Sequence, residues 1–311
     1  MNPLVPAIVA GVMLLGLPTP APGGDTEITG VDGGRTKELV LRNSRIVISG
    51  DGARGGKRDG FQLRNPCWYE PAMTPDEMLK FREDTLPYFN RYGSKDAGTP
   101  EEYLQPAKDK IGKPGQWWQM SFAEGDTRAV DCFTTRPSFV FVPPGTTPEN
   151  GITIQQLTDI ARAALTVPEP TVKLNPDAKS YVNLPTFVWL EGIGQPRRSV
   201  TATLPGVMSA TVVATLENFK IDPGTTADRA EVREDGCGST GKQYVKGAQF
   251  TCGVRYLRAS IDQPRENYVL TVTTVWPVEV ADQVVPFQYA PVQTDTTRDV
   301  PVGEVQSNVK P

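Results

Sequence analysis

The 311-residue chain contains no histidine. That absence excludes Ser-His-Asp and Cys-His nucleophile activation, His-ligated zinc and imidazole proton shuttles. Carboxylate, Lys, Tyr or Ser-Lys chemistry is what remains. Cysteine is scarce, with four residues: Cys67, Cys132, Cys237 and Cys252. No C-x-x-C pair occurs, so a four-thiolate metal site is not expected and no cofactor is implied. No apolar run reaches the roughly 20 residues that a helix needs to cross a bilayer. The formal net charge of −4 gives no footprint for nucleic acid.

The apolar stretch Leu4 to Leu17 is short, and Thr19 and Ala21 stand at small-residue positions after it. This reads as a secretory signal peptide, residues 1–21, and predicts a secreted protein with no membrane span in the mature chain. No Cys follows closely, so no lipid anchor is expected. An even cysteine count agrees with export. Of three possible pairings we expect Cys67–Cys132 and Cys237–Cys252, because each then lies within one expected domain.

Residues 22–60 are rich in Gly and Asp and read as flexible linker with one strand, 38–49. Between 34 and 66, eight basic residues face three acidic ones. A solvated linker, or contact with an anionic wall or membrane surface, would account for that. Residues 61–167 read as a small disulfide-bonded α+β region. Thr74 with Glu77, Thr99 with Glu102 and Thr153 with Gln156 predict capping boxes at three helix starts. Pro87 and Pro106 should end or kink the first two helices. GQWWQMSF, TRAVDCF and SFVFVPPG predict antiparallel strands held by Cys132. From 168 to 311 the pattern is short strands separated by turns, which predicts an antiparallel β-sandwich and a mainly β protein.

At YVNLPTFVWLEG, FTCGVRY and NYVLTVTTVWPVEV the chain resembles a family of uncharacterised secreted actinobacterial proteins. Their C-terminal domain is similar to the polycystic-kidney-disease (PKD) sandwich, and members are sometimes labelled ATP/GTP-binding. FKIDPG, 219–224, stands where the aromatic-Gly-Asp-Gly turn of such domains belongs. The resemblance implies a spacer or a protein- or sugar-binding module, with no known substrate.

GCGSTGKQ, 236–243, nearly matches the phosphate-binding loop G-x-x-x-x-G-K-[ST] through Gly236, Gly241 and Lys242. A working loop follows a buried strand and opens a helix. Here ADRAEVRED precedes it, a β-like segment follows, and Gln243 replaces Ser or Thr. The expectation is a disulfide-pinned hairpin turn. Trp117 and Trp118 adjoin on one expected strand and should face opposite ways. The outward one would contact a glycan or protein, or else both are buried. The acidic residues Asp222, Asp228, Glu231, Glu234 and Asp235 match no calcium-loop spacing. Glu83 with Asp84 and Glu101 with Glu102 point apart on helices. Ser239 and Lys242 satisfy Ser-x-x-Lys in an expected turn, without the further motifs that chemistry requires. The resulting expectation is a secreted, non-enzymatic binding or structural protein whose partner is a protein or glycan of the cell envelope. The alternatives are a carboxylate-dependent hydrolase and nucleotide binding through 236–243.

Overall fold

The computed structural model describes residues 24–32, 35–93, 98–286 and 288–305. The expected signal peptide lies outside the described residues. The first half runs β1 (Thr26–Asp32), β2 (Arg35–Arg42), β3 (Val47–Ser49), β4 (Cys67–Met73), α1 (Pro75–Tyr92), α2 (Pro100–Lys108), β5 (Gln116–Ala123), α3 (Arg128–Thr135), β6 (Phe139–Val142) and α4 (Ile154–Ala164). Strands follow: β7 (Thr171–Asn175), β8 (Ser180–Tyr181), β9 (Pro185–Glu191), β10 (Arg197–Leu204), β11 (Met208–Thr215) and β12 (Asn218–Asp222). The last are β13 (Ala230–Arg233), β14 (Gly253–Tyr256), β15 (Asn267–Trp276), β16 (Val278–Val280) and β17 (Val292–Gly303). The described chain is mainly β, in four sheets, and almost every pairing is antiparallel; β8 with β17 is parallel.

In the first sheet β5 is central. It pairs with β4 along one edge, and with β6 and then β2 along the other. The segment expected as linker is built into the fold. β1 and β2 form a hairpin in this sheet, while β3 pairs with β10 in the second. The single strand expected over 38–49 breaks at Asn43, whose φ of 54° is left-handed; Asn tolerates that region better than most residues. The turn is caught from below. Gln119 and Ser121 of β5 donate to the Asn43 carbonyl, and Glu70 of β4 accepts from the Arg45 amide and the Ser44 hydroxyl. Such capture satisfies backbone groups that would otherwise be buried unpaired. The basic stretch is likewise engaged: Arg58 donates to the Ile28 carbonyl, Lys57 pairs with Glu169, and Arg64 with Asp159.

Three further expectations are corrected. TRAVDCF is not a strand; it enters α3. Asp126 accepts from the Arg128 amide ahead of the helix, and Ala129 and Cys132, three apart, form its buried side. The prolines do not stop their helices: α1 continues past Pro87 and α2 past Pro106. At the first of these, Pro87 and Glu83 are both exposed, so water can reach the carbonyl that lacks an amide partner. The capping boxes of Thr74–Glu77 and Thr99–Glu102 are complete. That of Thr153 is half formed, because the Gln156 amide group donates to the Asn65 carbonyl instead.

The second and third sheets, β16-β11-β10-β3 and β12-β15-β17-β8, are joined. β11 and β12 face β16 and β15 as one ladder, bent where Thr215 and Glu217 donate to the Pro277 and Val275 carbonyls. The fourth sheet, β13-β14-β9-β7, faces the third: Tyr256 stacks on Tyr268 with ring centres 4.8 Å apart. Helix α4 lies on β10 and β11 and is buried from Gln156 to Ala164. One apolar core runs from Ile28 to Val302, so packing crosses the boundary expected at 167/168.

Candidate functional site

Both expected disulfides are present. Cys67 at the start of β4 joins Cys132 on α3, and Cys237 joins Cys252 just before β14. The second bond brackets the phosphate-loop look-alike. Residues 236–243 form a turn with no helix after it. The Gly236 amide donates to Thr251, that of Cys237 to Glu234, and that of Gly241 to Cys237. A phosphate cradle needs such amides free and converging; here they hold the turn together. Thr240 and Gly241 instead run beside β9, where Thr240 accepts from the Leu190 amide and Gly241 bridges Trp189. Gly241 has φ of 73°, and a Cβ there would stand 2.7 Å from the Val188 carbonyl oxygen. Its glycine serves close approach to β9. Lys242 is exposed, and Ser239 sits in the turn rather than on a helix.

Trp117 and Trp118 do point to opposite sides of β5, yet each is only 7% exposed. Trp118 belongs to the main core. Trp117 packs with Met73, Met78 and Ala107 in a second cluster beneath the α1–α2 hairpin. Their indole N–H groups are buried with no partner among the described residues. They are packing residues, and the expected aromatic platform is not at these positions.

The two most deeply buried carboxylates, Glu70 and Asp159, are likewise occupied. Glu70 is fully buried and accepts from the Arg45 amide, Ser44 and Trp68; burial, the largest influence, raises its pKa despite these donors. Asp159, 1% exposed, takes both ends of the Arg64 guanidinium at 2.8 Å and the Tyr289 hydroxyl at 2.6 Å. Beside it Arg162 of α4 pairs with Asp59 and lies over Phe61. This cluster ties residues 59–64 and 289 to α4. The acidic residues of 222–235 are dispersed: Asp228 pairs with Arg258, Glu231 with Arg255, Glu234 accepts from the Ile221 amide and Asp222 from that of Gly224. Among the described residues no group of three could hold a metal ion. Glu83 and Asp84 are exposed, Glu102 caps α2 and Glu101 pairs with Lys108.

A group of partly exposed aromatics lies on the fourth sheet. Along β9, Thr186, Val188 and Leu190 face the core, so Phe187 and Trp189 face outward. Tyr244 and Phe250, from the disulfide-bracketed segment, pack on Phe187 with centres 4.9 and 5.5 Å away. Arg233 of β13 and Arg255 of β14 each lie 5.5 Å over the Phe250 ring. Lys173 of β7 pairs in register with Trp189. The outer face of the fourth sheet therefore carries rings and cations, with Glu191 and Glu231 among them. Comparison with family models, with curated proteins and with solved structures finds no match.

Rings fixed in one layer offer flat apolar surfaces, and guanidinium groups beside them offer paired donors. Sequence reasoning passed over Phe187 and Trp189, although their spacing of two carried the signal. Their neighbours Val188 and Leu190 are also apolar, so the strand reads as buried on both faces.

Proposed function

We propose that this is a secreted, non-enzymatic binding or structural protein of the cell envelope, with a PKD/Ig-like sandwich in its C-terminal part. Two disulfides suit an oxidising compartment. No helix among the described residues is long and apolar enough to cross a membrane. The observation that carries the reading is the contrast between engaged carboxylates and available rings. Glu70 and Asp159 are saturated by internal donors, whereas Phe187, Trp189, Tyr244 and Phe250 lie on an outer face. A hydrolase needs acids converging on a cleft; a binding module needs a shallow face bearing rings and donors.

The test is sedimentation of the oxidised full chain with washed envelope material. The expected result is pelleting that Trp189→Ala weakens, with no turnover of glycoside, ester or peptide substrates and no saturable change on ATP titration. Turnover abolished by replacing a single carboxylate would overturn the reading, as would ATP binding abolished by Lys242→Ala.

A further inference from the structure

We propose that the outer face of the β13-β14-β9-β7 sheet, with the segment bracketed by Cys237 and Cys252, binds a uronate-bearing polysaccharide. The proposal rests on the binding reading above and names its ligand class.

Charge is the first argument. The chain carries a net −4, yet residues 236–261 contain Lys242, Lys246, Arg255 and Arg258 and no acidic residue. The disulfide and the Thr240–Leu190 hydrogen bond hold the start of this stretch against β9, beside Trp189. Lys173 stands opposite Trp189 on the neighbouring strand β7 and pairs with Glu191. Arg255, Arg258 and Lys173 are paired with Glu231, Asp228 and Glu191, and the exposed Lys242 and Lys246 add an excess of cations that favours an anionic ligand here.

The rings supply the second argument. Trp189, Phe187 and Tyr244 are half-buried and sit on one side of the sheet. Ring faces held in this way suit the flat C–H surface of a pyranose, and indole and phenol rings lose little entropy on binding. Polyanions without sugar rings would leave that surface unused.

The pairing of these cations selects carboxylate as the anion. Arg255 is now matched by Glu231 at 3.3 Å, and Lys173 by Glu191 at 3.7 Å. Both pairs are long and solvent-reached, so each contributes little to stability. Each cation already accommodates one protein carboxylate in place; a ligand carboxylate can take the Glu231 position while Glu231 turns to water, and one that takes the Glu191 position would also receive the Trp189 indole N–H that Glu191 now accepts at 3.1 Å. Arg255 is held for this by stacking on Phe250.

The experiment is fluorescence titration of the oxidised full chain with polygalacturonate, with neutral dextran and polyphosphate in parallel arms. Trp68, Trp117, Trp118 and Trp276 are buried, so a change in emission on binding reports Trp189. Polygalacturonate should bind and shift the emission, and dextran should not bind. Trp189→Ala and Arg255→Gln should each weaken affinity, measured by sedimentation, about tenfold, while Trp189→Phe keeps most of it. Glu231→Gln should bind more tightly, because it removes the competitor for Arg255; a merely structural Glu231 would give weaker binding. Unchanged urea midpoints in Trp189→Ala and Trp189→Phe confirm that the fold is kept. The proposal is overturned if polygalacturonate does not bind, if polyphosphate binds as well, or if neither Trp189→Ala nor Arg255→Gln weakens binding. Envelope sedimentation that persists while polygalacturonate fails would refute the ligand class and leave the binding reading standing. Loss of both would refute both.

Discussion

β5 and β9 each carry two large aromatics within three residues, and the molecule treats them in opposite ways. Trp117 and Trp118 are neighbours, so one points away from the main core; both are nevertheless buried. Phe187 and Trp189 are two apart and share the outer side of their strand, where they stay partly exposed. The difference lies outside both strands. After β4 the chain makes the α1–α2 hairpin, which lays Met78 and Ala107 over Trp117. Among the described residues no helix is packed on the outer side of β9; the segment between Cys237 and Cys252 reaches over it with Tyr244 and Phe250. Whether an aromatic on a strand becomes core or surface is decided by covering elements distant in sequence.

The largest expected effect tests that comparison directly. Trp118→Ala opens a cavity in the main core and should cost about 3–5 kcal/mol, with Trp117→Ala close behind. Trp189→Ala removes a half-exposed ring and should cost less than about 1 kcal/mol. Urea denaturation of the three variants measures the contrast. Equal losses at Trp118 and Trp189 would mean that the β9 face is covered, and the comparison would fail.

The disulfides sharpen the same contrast. Cys67–Cys132 spans 65 residues on the closed side, and Cys237–Cys252 spans 15 on the open side. By chain entropy the paired Cys→Ser replacements should lower stability by about 4 and about 3 kcal/mol respectively. Only the second should also weaken envelope binding, because only it frees Tyr244 and Lys242 from β9. Urea midpoints and sedimentation of the two double variants check both halves. Loss of binding in the Cys67/Cys132 variant alone, with the fold intact, would place the binding face on the wrong sheet.

These contrasts also show what was legible. Mainly β structure, the caps of α1 and α2 and the turn nature of 236–243 follow from local signals: Thr-Pro-x-Glu starts and glycine-rich punctuation. Both disulfide pairs are as expected, although the domain boundary used to choose them is crossed by one core. Local patterns could not show that β3 pairs with β10, where Ser49 meets Thr201, because the Asn43 turn depends on Glu70, Gln119 and Ser121. Nor could they show that α4 packs on β10 and β11. The boundary expected at 167/168 reflected a proline-rich stretch, which here lies between elements of one core. RAVDCF fits a strand by residue type, but Asp126 supplies a helix start. The candidate face was the least legible part. A strand apolar on both sides announces burial, and only the missing cover reveals otherwise.

The smallest expected effect concerns two carboxyl groups, one in each region. Glu70, enclosed between the first sheet and the Asn43 turn, has its pKa raised above the ordinary 4.5, chiefly by burial. Asp262, exposed in the C-terminal part, is held down at about 2, chiefly by hydrogen bonds from the Arg229 guanidinium. The two act on stability with opposite signs. Between the ordinary glutamate value and its own raised value, folded Glu70 keeps a proton that the unfolded chain has released, so stability falls as pH rises through that window. Between the ordinary 3.8 and about 2, folded Asp262 has lost a proton that the unfolded chain still holds. Its contribution is present above the ordinary value and disappears as pH falls. Glu70→Gln should therefore flatten the upper slope and leave the lower one, while Asp262→Asn should do the reverse. Glu70→Gln carries a further cost of about 1–3 kcal/mol, because its amide nitrogen would face the Arg45 or Trp68 donor. Urea midpoints across the acid range separate the two effects. A Glu70→Gln profile that merely runs parallel to the parent would show that Glu70 has the same pKa in the folded and unfolded chain, and that burial between the first sheet and the Asn43 turn does not raise it.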